Sequence, residues 1–106
     1  MKRCFVALSS IIWLSVPALA ADLENGKNLA RKCSVCHGKF GIAKDPEVAN
    51  LAGQSAFYLE KSLVDFREGK REDRRMSLIV ANLSDSEIKD LAAWFSSIEI
   101  TLVEPK

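Results

Sequence analysis

Two cysteines three positions apart, followed at once by a histidine, constrain this chain more than any other feature. They are Cys33, Cys36 and His37, in the segment Cys-Ser-Val-Cys-His. The pattern is typical of a c-type haem attachment site. Each thiol can add to one haem vinyl group to form a thioether, and the histidine is then placed to ligate the iron through an imidazole nitrogen. Redox dithiols and zinc sites share the Cys-x-x-Cys part, so the rest of the chain has to distinguish between them.

The N-terminal segment has the composition of an export signal. Two basic residues precede a twelve-residue, mostly apolar and uncharged run at 5–16, and Ala18-Leu19-Ala20 offers the small residues of a signal-peptidase site. The run is shorter than the ~20 residues of a membrane-spanning helix, although an uncleaved anchor is the alternative. We predict a signal peptide at residues 1–20, a single domain at 21–106 and a periplasmic location.

Signal removal leaves few reactive side chains: two cysteines, one histidine and one methionine. It also removes two basic residues, which lowers the formal net charge from +1 to −1. Without a basic excess we predict no nucleic-acid partner. A chain this short buries a small core and often needs a cofactor, metal or disulfide to fold. A disulfide from Cys33 to Cys36 would close too short a loop to stabilise much, whereas a covalently bound haem would add apolar surface to the core.

The spacing of apolar residues predicts an all-α domain, since no segment has the period of a strand. We expect a first helix from Asp22 to about Lys32, a second over 54–68 and a third over 84–97. Residues 38–53 are expected to form a loop packed against something apolar. The third helix begins with a capping box of Ser84 and Glu87 and places Asp90 on its outer face, opposite an apolar stripe of Ile88, Leu91, Ala92, Phe95 and Ile98.

Met76 is the candidate for a second ligand of the haem iron. It lies 39 residues after His37, is the only thioether beyond residue 20, and is predicted to lie between two helices. A lone methionine ordinarily fills a core. Here there is no second histidine, lysines are well hydrated, and Tyr58 lies within a predicted helix. A His/Met pair raises the reduction potential relative to histidine alone and suits outer-sphere electron transfer.

Residues 67–75 carry five basic and three acidic side chains. Such a run is commonly a solvated loop. The functional alternative is a basic rim beside the redox centre that helps to orient a partner. Composition does not distinguish the two.

With the haem motif, the helices and Met76 in place, the domain resembles a class I c-type cytochrome over essentially all of residues 21–106. It is most similar to small bacterial members whose second helix opens with Leu-Ala-Gly-Gln, here Leu51–Gln54. The matching run continues through Tyr58-Leu59, Leu63, Phe66-Arg67, Gly69-Lys70-Arg71, Met76-Ser77, Leu83-Ser84-Asp85 and Leu91-Ala92-Ala93-Trp94.

The resemblance implies the class I cytochrome c fold, with three main helices around one covalently attached haem c. It implies that Cys33 and Cys36 form the thioethers, and that His37 and Met76 are the axial iron ligands. It also implies that Gly26 and Trp94 mark the crossing of the first and last helices. In such relatives a proline carbonyl often accepts a hydrogen bond from the proximal histidine. Ala49 takes that position here, so the rigid φ of proline is lost.

The expected function is periplasmic electron transfer rather than enzymatic catalysis, by a protein that docks transiently with redox protein partners at the haem edge. A cytochrome subunit of a dehydrogenase or oxidase is a second version of this function. We expect a monomer that meets the membrane only through partner complexes. Alternatives are a haem enzyme or gas sensor with a labile Met76, a thiol–disulfide oxidoreductase and a zinc module. The oxidoreductase would require a βαβ context, and adjacent Cys36 and His37 fit zinc spacings poorly.

Overall fold

The computed structural model describes residues 19–106, and these form four helices. They are α1 (Leu23–His37), α2 (Ala56–Arg67), α3 (Arg74–Val80) and α4 (Asp85–Ser96). No strand occurs in this part of the chain, which confirms the all-α prediction. Most of the predicted signal peptide lies outside the described residues, so its cleavage stays a prediction. Within the described part, none of the helices has the length and apolar character needed to cross a membrane.

Helix α1 is longer than predicted. The side chain of Asp22 accepts a hydrogen bond from the Asn25 amide at the start of the helix, as expected of an N-cap. The predicted end near Lys32 is wrong, because the helix continues to His37 and stops at Gly38. No apolar periodicity marks this last turn and a half. The extension places residues 33, 36 and 37 at positions i, i+3 and i+4 of one helix, where side chains share a face.

The crossing of α1 and α4 depends on Gly26. A Cβ atom added there would lie 2.1 Å from the carbonyl oxygen of Asp90 and 2.9 Å from the Cβ of Trp94. Any side chain at position 26 would therefore push the helices apart, and the predicted crossing of Gly26 and Trp94 is confirmed. The prediction for Asp90 is wrong, since it is buried (5% exposed) and not on an outer face. Its carboxylate accepts hydrogen bonds from the Asp22 amide and from Nδ2 of Asn25, both at 2.7 Å.

The core lies between α4 and the helices on either side of it. The predicted capping box of Ser84 and Glu87 is present, and most of the predicted stripe is buried, while Ile98 is half-buried. Helix α4 packs against both α1 and α2. The central cluster consists of Ala30, Leu59, Leu91, Ala92 and Phe95.

Helix α3 was not predicted. It spans seven residues, too few for an apolar period to show. The local signal that could have revealed it is Asp73, whose side chain accepts hydrogen bonds from the amides of Arg75 and Met76, each at 2.9 Å. Met76 therefore lies in the first turn of a helix and not between helices.

The loop at 38–53 is held by its own backbone. The carbonyl of Gly41 accepts hydrogen bonds from the amides of Leu51 (2.7 Å) and Ala52 (3.1 Å). Gly41 has φ 77°, and a Cβ atom there would lie 2.8 Å from the Ala52 nitrogen, so glycine is required. The expected apolar cover is only partial, because Phe40 and Ile42 are 56% and 51% exposed.

Candidate functional site

The four predicted site residues all line one cavity of about 340 Å³. Cys33, Cys36 and His37 reach it from the end of α1, and Met76 reaches it from α3. The rest of the wall comes from α2, α4, the loop at 38–53, further residues of α1 and α3, and the segments on either side of α3. Residues 39 positions apart in the sequence are thus brought to one site.

His37 is buried, and its ring has a fixed partner. Nδ1 lies 2.7 Å from the carbonyl oxygen of Ala49. A carbonyl oxygen can only accept a hydrogen bond, so Nδ1 carries the hydrogen and the lone pair of a neutral ring is on Nε2. This is the arrangement of a metal-ligating histidine whose second nitrogen is held by the protein.

The position of the Ala49 carbonyl is set by its neighbours in the loop. The side-chain oxygen of Asn50 accepts a hydrogen bond from the Ala43 amide at 2.8 Å, and the Leu51 amide donates to Gly41. These bonds fix the backbone on the C-terminal side of Ala49. The contact expected of proline at this position is therefore made without proline.

The two thiols differ in exposure and are not joined in a disulfide. Cys33 is half-buried, and Cys36 is exposed. Burial raises the pKa of the Cys33 thiol, outweighing its backbone hydrogen bond and the charge of Lys32. Dithiol oxidoreductases instead use a cysteine of lowered pKa. The environment of Cys33 therefore does not favour the thiol–disulfide alternative.

The cavity wall is mainly apolar between the histidine and the methionine. A group that fills it would be covered by carbon on most sides, with an imidazole nitrogen and a thioether sulfur as its available ligands. Two thiols lie beside the imidazole. These residues fit a haem attached through two thioethers. The apolar side chains include Leu51, Leu59, Leu63, Phe66, Ile79, Val80, Leu83, Leu91 and Phe95.

Comparison with known families agrees with this chemistry. The family model for cytochrome c matches residues 23–99, which include the whole of the site. This chain belongs to the cytochrome c family. Membership implies a covalently attached haem c, and Cys33 and Cys36 have the expected spacing. The finer subgroup indicated by Leu51–Gln54 stays a prediction.

Bacterial cytochromes are among the curated relatives of this cytochrome c domain. Cytochrome c4 of Pseudomonas aeruginosa is 36% identical over 103 residues, which cover 96% of this chain and 51% of that protein. Cytochrome c-554(548) of Halomonas halodenitrificans is 40% identical over 83 residues, which cover 76% of this chain and 100% of that protein. The chain therefore spans about half the length of the cytochrome c4 relative.

A solved structure shows the same fold. The crystal structure of reduced recombinant cytochrome c4 from Pseudomonas stutzeri matches with a TM-score of 0.68 and 31% identity, covering 76% of this chain and 51% of that chain. The class I cytochrome c fold predicted from the sequence is confirmed.

The all-α architecture of residues 19–106 does not provide the βαβ context of a thioredoxin-like enzyme. Over the same residues, no group of three or more His, Cys, Asp and Glu side chains is placed to hold a metal ion. The four residues that sequence reasoning singled out all line this cavity, and their roles stay predictions. Sequence reasoning did not single out Lys32, which also lines the cavity, as do Arg71 and Arg75 from the charged segment 67–75.

Proposed function

We propose that this cytochrome c domain is a periplasmic one-electron carrier with one haem c, bound through Cys33 and Cys36 and ligated by His37 and Met76. The observation that carries the proposal is the shared cavity, which has an imidazole with an available Nε2 and a thioether among otherwise mainly apolar side chains. When bound, the haem supplies a one-electron iron couple. The partners we propose are redox proteins that dock transiently.

Each site residue has a separate task in this proposal. The carbonyl of Ala49 holds the His37 ring in one tautomer and one orientation, so that Nε2 remains a ligand. Helix α3 presents the Met76 side chain, whose soft thioether favours ferrous iron. The thiols of Cys33 and Cys36 would tether the cofactor to α1, so that an exchange of ligands would not release it.

The apolar wall supports the proposal in a second way. A low-dielectric cavity disfavours net charge at its centre and limits the access of water. Little rearrangement of solvent then accompanies a change of oxidation state. If His37 and Met76 both ligate the iron, the site would carry electrons and would leave no position on the metal for a substrate.

Optical spectra test this function. We expect alkaline pyridine spectra to show one c-type haem per chain in protein made with a functional cytochrome maturation system. We also expect the oxidised protein to have a sulfur-to-iron charge-transfer band that is absent in Met76→Ala. Met1 leaves with the predicted signal peptide, so no other methionine can supply that band.

Two results would contradict the proposal. Protein that carries no haem after competent maturation would remove its basis. Rapid carbon monoxide binding by the reduced wild type would show that Met76 leaves the iron readily, and would favour the gas sensor or haem enzyme. The mass of the periplasmic protein tests the location, because cleavage after Ala20 leaves residues 21–106.

A further inference from the structure

Residues 68–83, here called the methionine segment, lie between α2 and α4 and carry Met76 on α3. Among the described helices, α3 packs against α2 alone. The first half of the segment is fastened to α2 at Arg71. The Arg71 amide donates to the Asp65 carbonyl at 3.1 Å, and the Arg71 guanidinium lies 4.6 Å from the centroid of the Phe66 ring. The second half of the segment needs a support of its own.

Arg67, the last residue of α2, reaches across to the far end of the methionine segment. Its Nη1 donates a hydrogen bond to the carbonyl oxygen of Leu83 at 2.9 Å, and its Nη2 pairs with Oδ1 of Asp85 at 2.6 Å. Within residues 19–106, no other hydrogen bond joins residues 74–83 to a residue outside the methionine segment. One side chain thus ties the start of the segment to its end.

The two bonds of the Arg67 guanidinium differ in their surroundings. The Asp85 side chain is 81% exposed, so water screens that ion pair and it contributes little. The bond to the Leu83 carbonyl is partly buried, and a charged donor makes a hydrogen bond about twice as strong as a neutral one. The Leu83 side chain lines the cavity. The carbonyl bond therefore holds the end of the methionine segment at the cavity wall.

We propose that Arg67 is a positioning residue for Met76, on which it acts by holding the end of the methionine segment close to α2. This inference rests on the function proposed above, because it requires Met76 as an iron ligand. Movement of the segment away from the cavity would break the bond between Arg67 and Leu83, and the tie between its two ends limits the conformations open to it. Loss of Arg67 should leave the haem attached to α1 and make Met76 easier to displace.

The test is the rate at which imidazole replaces Met76 in oxidised, haem-loaded protein, followed through the loss of the charge-transfer band. At saturating imidazole, this rate is set by how often Met76 leaves the iron. We expect the limiting rate in Arg67→Gln to be about 10–100-fold that of the wild type, the ratio that corresponds to one charge-assisted hydrogen bond. Arg67→Lys keeps the charge but not the fork that reaches two acceptors, so its rate should be intermediate. Arg31→Gln, at an exposed position on α1, should match the wild type.

A second control separates the position of Met76 from the stability of the whole domain. Asp90→Ala removes a buried acceptor at the crossing of α1 and α4, and α3 packs against neither of these helices. We expect its limiting rate to stay within about twofold of the wild type, because distant sites act independently. Urea unfolding of both variants shows how much stability each has lost.

A limiting rate in Arg67→Gln equal to that in Arg31→Gln would overturn the inference, as would a rise in Asp90→Ala as large as that in Arg67→Gln. Haem content and the charge-transfer band of the wild type are measured first. A wild type without either contradicts the proposed function, whereas a wild type with both and an unchanged rate in Arg67→Gln contradicts only the role of Arg67. If Arg67→Gln yields no haem-loaded protein, Arg67→Lys decides, and a rate equal to that of Arg31→Gln then overturns the inference.

Discussion

Nδ1 of His37 lies 2.7 Å from the carbonyl oxygen of Ala49, and this contact joins the end of α1 to the loop that closes the cavity. The contact depends on the backbone of residue 49 and not on its side chain. Backbone acceptors survive substitution, so the tautomer of His37 is insensitive to the side chain at position 49.

Ala49→Pro tests that independence. The Ala49 amide makes no backbone hydrogen bond in the described structure, so proline removes none. We expect the haem content and the charge-transfer band to be unchanged and the free energy of unfolding to rise by about 0.4–1 kcal/mol, because proline restricts the unfolded chain. Denaturant titration measures the change, with Lys89→Pro, at an exposed position inside α4, as a destabilising control. A loss of haem in Ala49→Pro would show that the backbone at position 49 cannot accept proline.

Gly26→Ala is expected to weaken the α1–α4 crossing. The added methyl group would meet the Asp90 carbonyl at 2.1 Å, so the helices must separate. Overpacking of this kind costs about 1–3 kcal/mol. Thermal and urea unfolding measure it, and Asn28→Ala, exposed on the same helix, should stay within about 0.5 kcal/mol of the wild type. Equal stability of the two variants would mean that the crossing tolerates a side chain.

Asp90→Ala is expected to leave two donors without a partner. The Asp22 amide and Nδ2 of Asn25 both donate to this buried carboxylate. Unsatisfied donors cost about 1–3 kcal/mol, and the loss should appear in urea unfolding. Asn25→Ala removes one of the two donors and should cost less. A neutral result for Asp90→Ala would indicate that water replaces the carboxylate.

Asp73→Ala is expected to loosen Met76 without removing it. Hydrogen bonds from two backbone amides hold the pKa of the Asp73 carboxyl below its ordinary value. The bond from the Met76 amide has the larger effect and the bond from the Arg75 amide the smaller. The cap is therefore ionised and in place at neutral pH, and it is lost only as the pH falls through that lowered pKa. We expect a weaker charge-transfer band in Asp73→Ala and faster carbon monoxide binding when reduced.

Asp73→Asn is the matched control for this cap. Asparagine also caps helices through its side-chain oxygen, so the band should be near the wild-type intensity at neutral pH. An Asp73→Ala protein with the full band would show that the position of Met76 does not depend on its cap.

The sequence alone predicted the elements whose signals are local. The capping box at Ser84 and the apolar stripe of α4 locate that helix. The spacing of Cys33, Cys36 and His37 is likewise visible in the sequence itself. The burial of Asp90 could not be predicted, because the groups that donate hydrogen bonds to its carboxylate lie 65 and 68 residues earlier in the sequence. Arg71 could not be distinguished from its basic neighbours either, since only the folded chain places it on Phe66.

The unequal support of the two residues proposed as iron ligands has a consequence for how the protein unfolds. His37 belongs to the helix that carries both thiols, while Met76 lies on α3, which among the described helices packs against α2 alone. Regions with few tertiary contacts open at lower free energy than the core. Partial unfolding should therefore begin at α3 and, if Met76 ligates the iron as proposed, detach its sulfur first. The haem would stay attached to α1 through its thioethers during that partial unfolding. Mildly denaturing conditions would therefore change the coordination of the iron before any haem is lost.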